Sequence, residues 1–194
     1  RLNNSGRKPK EKRADLGVLF KKDKTIDIKN PPSELNYVPG ASITLREAVN
    51  KALSHLNHIT GGAFYGFAAD LVGSTSLNLM SDGFPQGFIT EKTPLAKIIP
   101  TGICEDGGAS ILTGIAATGH YIGVGSSYAT FMGAMSFTAA RLYTIAFQTK
   151  HGEDMAPVIL LNAHAGLKTG EDGPTHACPQ TLSLWKSFSE LKWK

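Results

Sequence analysis

Short apolar runs alternating with longer helical segments predict an α/β domain built on a mostly parallel sheet. Three observations carry this. Ala63-Phe64-Tyr65-Gly66-Phe67-Ala68 and Pro157-Val158-Ile159-Leu160-Leu161-Asn162 are compact and continuously apolar, as strands buried on both faces must be. Glu105 to Ala117 and Phe131 to Phe147 have helical length and separate strand candidates, which suits crossover connections rather than hairpins. Twenty-one glycines against 8% aromatic residues point to tight turns and close backbone approaches.

The elements follow in order. Residues 1–32 hold ten Lys/Arg and four Asp/Glu, whereas residues 33–194 hold ten and twelve, so the net charge of +4 comes from the head alone. Gly6, Pro9, Pro31 and Pro32 punctuate that head, which reads as a basic linker or arm over residues 1–40, ahead of a domain at 41–194. A solvated connector is preferred to a nucleic-acid arm, because the charges lack aromatic stacking partners. Thr44 and Glu47 form a T-x-x-E capping box, predicting a helix with Leu45, Ala48, Val49, Ala52, Leu53 and Leu56 as its apolar stripe. Residues 70–94 are rich in Gly, Ser and Asp and read as a long loop. Lys97-Ile98-Ile99-Pro100 and Tyr121 to Val124 are further short strand candidates, Gly166 to Pro174 a polar loop, and Thr181 to Leu191 a last helix.

Several classes of function fall away. No run approaches the roughly 20 apolar residues of a membrane helix. The chain begins at Arg1 rather than Met, so a processed or excised polypeptide is expected, and its head lacks the apolar core of a secretory signal. Two cysteines, Cys104 and Cys178, make no disulfide framework and suit a reducing, cytoplasmic setting. There is no G-x-S-x-G elbow, phosphate-cradling G-x-x-x-x-G-K-[ST] loop or dinucleotide fingerprint in context. The His spacing matches no compact zinc pattern, so no metal ligands are assigned.

Two constellations remain. Glu105 and Asp106 open a predicted helix, where from the residues alone complementing the helix dipole is preferred to catalysis. His164 ends an apolar strand, and a Gly-rich loop returns His176 twelve positions later with Asp172 between them. Imidazoles and a carboxylate in such a setting can bind hydroxyls or move protons. The other histidines, His55, His58, His120 and His151, lack that setting and read as surface or capping residues. In parallel sheets, ligands bind beyond the carboxyl ends of the strands, where Asp70–Ser76, Gly102–Gly108 and His164–His176 all fall.

These residues carry a resemblance. Gly170-Glu171-Asp172-Gly173-Pro174-Thr175-His176 after His164 resembles the sugar-binding loop of transketolases. Ala68-Ala69-Asp70-Leu71 with Ser74 resembles that family's S-A-D-L-x-x-S segment. Gly102-Ile103-Cys104-Glu105 with Gly114-Ile115-Ala116 resembles its G-I-R-E-H…N-G-I-A segment. The resemblance runs from Ser42 to Trp185 and is to the middle, pyrimidine-binding domain, a three-layer α/β/α fold with a mostly parallel sheet.

The resemblance implies thiamine diphosphate as cofactor and transfer of a two-carbon ketol unit between sugar phosphates. It places Glu105 on the aminopyrimidine ring as a hydrogen-bond donor, a role that needs the neutral acid, which burial favours. It places Tyr128 and Phe131 against that ring, with Ala134 or Met135 where a third aromatic is usual and Phe137 nearby. Ordinary core packing is the competing reading for both aromatics. Asp70 falls at the cofactor end of its strand. Arg46 and Ser74 match positions that hold the sugar phosphate, a task suited to a forked guanidinium. His164 and Asp172 match substrate contacts, and His176 a hydrogen-bond donor or proton relay at the transferred oxygen.

Cys104 and Asp106 depart from the family's Arg and His. The G-D-G…N motif that holds the diphosphate through Mg²⁺ is absent from this sequence. The implied partners are therefore a diphosphate-binding domain or subunit and sugar phosphates, in a homodimeric enzyme, with neither nucleic acid nor membrane. The chain alone is expected to be inactive. Alternatives are a silent or regulatory dimerisation module, or the equivalent domain of a 2-oxoacid dehydrogenase β-subunit or deoxyxylulose-phosphate synthase.

Overall fold

A computed structural model of the chain describes residues 14–21, 27, 29–100, 102–148, 155–165 and 173–178. The expected last helix and Asp172 lie outside the described residues.

Strands β1 (Phe64–Ala68), β2 (Ile122–Tyr128) and β3 (Val158–Ala163) form a parallel sheet in the order β1-β2-β3. The register pairs Phe64 with Ile122 and Ala68 with Ser126, then Val124 with Ile159 and Tyr128 with Ala163. Side chains alternate across the sheet, so each face collects its own core. Phe64, Ile122 and Val124 pack with Leu53, Leu77 and Met80 on one face. Phe67 and Leu160 pack with Ala109, Leu112, Met132 and Met135 on the other. Helix α1 (Leu45–Ile59) covers the first face, and α2 (Glu105–Ala116) with α3 (Met132–Gln148) covers the second. This is the three-layer α/β/α arrangement.

The capping box at Thr44 is present in both directions: Glu47 N–H donates to Thr44 Oγ1 at 3.3 Å, and Thr44 N–H donates to the Glu47 carboxylate at 3.0 Å. The stripe behind it differs from expectation. Leu45 is 86% exposed, and the buried face is Asn50, Leu53, Ser54 and Asn57. The reason is that amides do the docking. Asn57 Nδ2 donates to the carbonyls of Phe64 and Met80, and its Oδ1 accepts the Phe64 N–H at 2.9 Å. A helix face can be polar and buried when each group finds a partner in the loop it covers.

The backbone N–H of Thr44 and then its hydroxyl hold the Glu47 carboxyl below its ordinary value of 4.5. A lowered native value means that the box contributes fully above the unfolded value and fades as pH falls through the native one. Hydrogen-exchange protection in the first turn of α1 should therefore stay level down to about pH 4.5 and drop only below it. A drop beginning above pH 5.5 would show that Glu47 does not hold the turn.

Lys97–Pro100 does not form a full strand. Ile98 makes isolated bridges to Gly66 and Phe88, and Gly66 N–H reaches the Lys97 carbonyl at 2.7 Å, a brief extension beside β1. Lys97 is buried there, its ammonium donating to Gly62 O at 2.9 Å over the rings of Tyr65 and Phe84. The chain beyond β1 turns into a short 3-10 helix, Leu77–Ser81, seated under α1.

Within the basic head, Leu16–Phe20 forms a 3-10 turn capped by Asp15, and Asp15 N–H donates to Thr60 O at 2.9 Å. Leu16 and Leu19 pack against the α1-side core.

Candidate functional site

Three polar elements meet at the carboxyl ends of the strands. The first follows β1. Asp70 takes φ of 55° and Ser76 φ of 59°, left-handed conformations that non-glycine residues rarely adopt. Such backbone strain concentrates at functional sites. Asp70 and Ser74 are exposed and make no side-chain hydrogen bond among the described residues.

The second element is the start of α2. Glu105 is half-buried, and the hydroxyl of Ser127, a fully buried residue, donates to its Oε1 at 3.3 Å. Ser127 belongs to the part of β2 that extends past the expected end at Val124. Serine in a buried strand needs a partner, and Glu105 is that partner. Asp106, one residue on, points elsewhere: Thr138 Oγ1 donates to its Oδ1 at 2.9 Å, tying α2 to α3.

The third element follows β3. His164 has φ of 49°, and its ring stacks on Tyr128 at 4.0 Å between centroids and 12° between planes. An Arg46 guanidinium nitrogen lies 3.3 Å from His164 Nε2. Guanidinium only donates, so in this contact Nε2 is the acceptor. His176, in the 3-10 turn Pro174–His176, meets Tyr128 and Phe131 edge-on at 5.6 and 5.4 Å. Its Nδ1 lies 2.9 Å from Thr175 Oγ1.

Of the residues expected from sequence, Arg46, Tyr128, Phe131, His164 and His176 thus form one connected cluster. Glu105 stands beside it through Ser127, the residue adjacent to Tyr128. Tyr128 is buried with one ring face against His164, whereas Phe131 is 38% exposed. Met135 is wholly in the core, and Phe137 is 66% exposed. Sequence reasoning missed Ser127 because the strand was expected to end at Val124. The signal was there: Ser126 and Ser127 lie between Val124 and Tyr128 in an unbroken strand-length run.

Beside Arg46, a cleft of about 120 Å³ opens between α1 and the ends of β2 and β3, with Asn50, Thr75 and Ser126 among its walls. Among the described residues, no group of three or more His, Cys, Asp or Glu is placed to hold a metal ion. No helix of the described residues is long and apolar enough to cross a membrane.

Residues 41–193 match the family model described as "Transketolase, pyrimidine binding domain". The chain is 34% identical over 137 residues to Transketolase 1 of Candida albicans, covering 68% of this chain and 18% of that protein. It is 29% identical over 176 residues to a transketolase of Dictyostelium discoideum, covering 91% and 24%. The fold superposes on a transketolase from Leishmania mexicana with a TM-score of 0.60 at 25% identity, covering 80% of this chain and 22% of that one. The chain spans about a fifth of the length of these curated relatives.

Proposed function

Because the chain belongs to the transketolase pyrimidine-binding domain family, we propose that it supplies the pyrimidine-side half of a thiamine-diphosphate site for ketol transfer between sugar phosphates. Bound thiamine diphosphate would supply the carbanion chemistry, and this chain the positioning and electrostatics. The observation that supports this most is the convergence at one sheet edge of a carboxyl held by Ser127, an aromatic and imidazole cluster, and Arg46.

The residues suit the pyrimidine end of the group. Glu105 Oε1 accepts from Ser127, which leaves Oε2 to face a heterocycle. The half-exposed Phe131 offers a ring edge or face beside it. Arg46 stands at the rim as an anchor for a sugar phosphate, and its bond to His164 sets the imidazole that faces the sugar. His176, braced by two rings, would donate to the transferred oxygen. Asp70, Ser74 and Asp172 complete the proposed set, as cofactor and substrate contacts. Asp106 is engaged with Thr138, so it serves as a tie between helices rather than as part of the chemistry.

The described residues offer no cluster for Mg²⁺. On the family membership we assign diphosphate and Mg²⁺ to a separate domain or subunit, in a cytoplasmic, dimeric enzyme. The test mixes this chain with a transketolase-type diphosphate-binding domain, thiamine diphosphate and Mg²⁺, and follows ketol transfer from xylulose 5-phosphate. Activity in the mixture, and in neither component alone, is expected. A stable complex with no activity above background would sink the reading.

A further inference from the structure

Asn50 holds a helix position where an apolar residue would be expected. It is 1% exposed, and its Oδ1 is buried with no hydrogen-bond partner. An unmatched buried acceptor costs free energy, so its presence calls for an explanation. The other half of the amide supplies one. Nδ2 donates to the Arg46 carbonyl at 2.8 Å and to the Thr75 carbonyl at 3.2 Å. This orientation is determined, because a flipped amide would aim its oxygen at two carbonyl oxygens. Among the described residues, the bond to Thr75 is the only hydrogen bond that joins α1 to the loop over 71–76. That loop is braced within itself. The Thr75 N–H and hydroxyl both donate to the Leu71 carbonyl, the Ser76 N–H to Gly73 O and the Leu77 N–H to Val72 O. It therefore moves as one piece, and Asn50 fixes where that piece sits.

We propose that Asn50 is a positioning residue, a buried bracket that sets the spacing of Arg46 and Ser74. These two exposed residues stand at its two ends: Arg46 bears one of the carbonyls it grips, and Ser74 directly precedes Thr75, which bears the other. Asn50 touches no ligand. It acts through the two backbone segments it joins, one carrying a guanidinium and the other a hydroxyl. Both groups are assigned above to a sugar phosphate, so the functional half of the proposal rests on that reading; the bracket itself does not. Two donors grip one phosphate only while their separation matches it, and donors on separate elements hold that separation only if the elements are tied. Leucine at this position would remove the unmatched oxygen, but it would also take from Thr75 O its donor on α1 and free the loop.

The full chain by itself tests the bracket. In Asn50→Leu, amide hydrogen exchange at Thr75, Ser76 and Leu77 should quicken about tenfold or more, with circular dichroism unchanged. If that variant does not fold, Asn50→Ala, which cannot overpack the helix face, takes its place. The mixture with the diphosphate-binding domain tests the consequence. The KM for xylulose 5-phosphate should rise about three- to tenfold, the scale of one hydrogen bond, with kcat unchanged. The KM for erythrulose, a ketose without phosphate, should not move. Asn50→Leu combined with Arg46→Ala should raise KM by less than the product of the single changes, because both act on one contact. Unchanged exchange in the loop overturns the bracket. An equal rise for both ketoses, or the full product in the double variant, overturns its positioning role. An unchanged KM in Arg46→Ala removes the phosphate reading and the positioning role with it, while the exchange result still decides the bracket.

Discussion

Replacing Glu105 with Gln is expected to lower ketol transfer in the assembled enzyme by about 10²–10⁴-fold, the usual contribution of a positioned acid–base group. The substitution keeps size, planarity and an acceptor oxygen for Ser127, whose hydroxyl donates to Oε1 at 3.3 Å. What it removes is a proton that can be given up and taken back. The effect should therefore appear in kcat and in exchange of the cofactor's C2 proton with solvent, and little in sugar-phosphate KM. Equal exchange rates in wild type and Glu105→Gln would refute the role. An equal loss of cofactor affinity and rate would instead point to a purely structural carboxylate. Glu105 caps no other residue among the described ones, so the fold itself should be unaffected.

A large effect on stability is expected at Gly123. A Cβ added there would lie 2.7 Å from Leu112 Cβ and 2.8 Å from the Leu112 carbonyl oxygen. A flexible side chain could move aside, but the backbone of α2 cannot do so without lifting the helix from the sheet. Gly123→Ala should thus cost about 1–3 kcal/mol through overpacking. The urea midpoint should fall with an unchanged m-value, since the surface exposed on unfolding is the same. A midpoint equal to wild type would mean that α2 is free to shift outward. Gly133, which has nothing within 4 Å of its added Cβ, provides the control position.

Much of the framework was legible in the residues. The apolar runs became β1 and β3 within a residue of their expected ends, and T-x-x-E marked the first turn of α1. These signals are local: continuous apolar character and a cap need nothing distant to be read. What escaped was set by partners far along the chain. Asn50 and Asn57 look like the polar side of an amphipathic helix until the carbonyls of Thr75, Phe64 and Met80 are known to lie beneath them. Ser127 fell outside the expected strand, which the structure extends to Tyr128, and its partner Glu105 lies 22 residues away. Lys97-Ile98-Ile99 has strand composition, yet pairs too briefly beside β1 to form a full strand.

For the site, the sequence motifs singled out Arg46, Tyr128, Phe131, His164 and His176, which the structure brings together at one edge. The stack of His164 on Tyr128 and the bond from Arg46 required the turn at His164, where φ of 49° swings the imidazole over the next strand. No propensity scale reports a left-handed histidine in advance.

The amide docking of α1 has a consequence for how the domain opens and closes. Asn57 grips both polar groups of Phe64, the first residue of β1, and with the same Nδ2 the carbonyl of Met80 in the 3-10 turn. One side chain thus joins the end of a helix, the beginning of a strand and a turn twenty-three residues downstream. None of the three can leave without stranding buried polar groups on the other two. They form a single cooperative unit, so the wall bearing Arg46 and Asn50 is rigid or absent as a whole, and loosening at the Met80 turn is felt at once where the guanidinium stands.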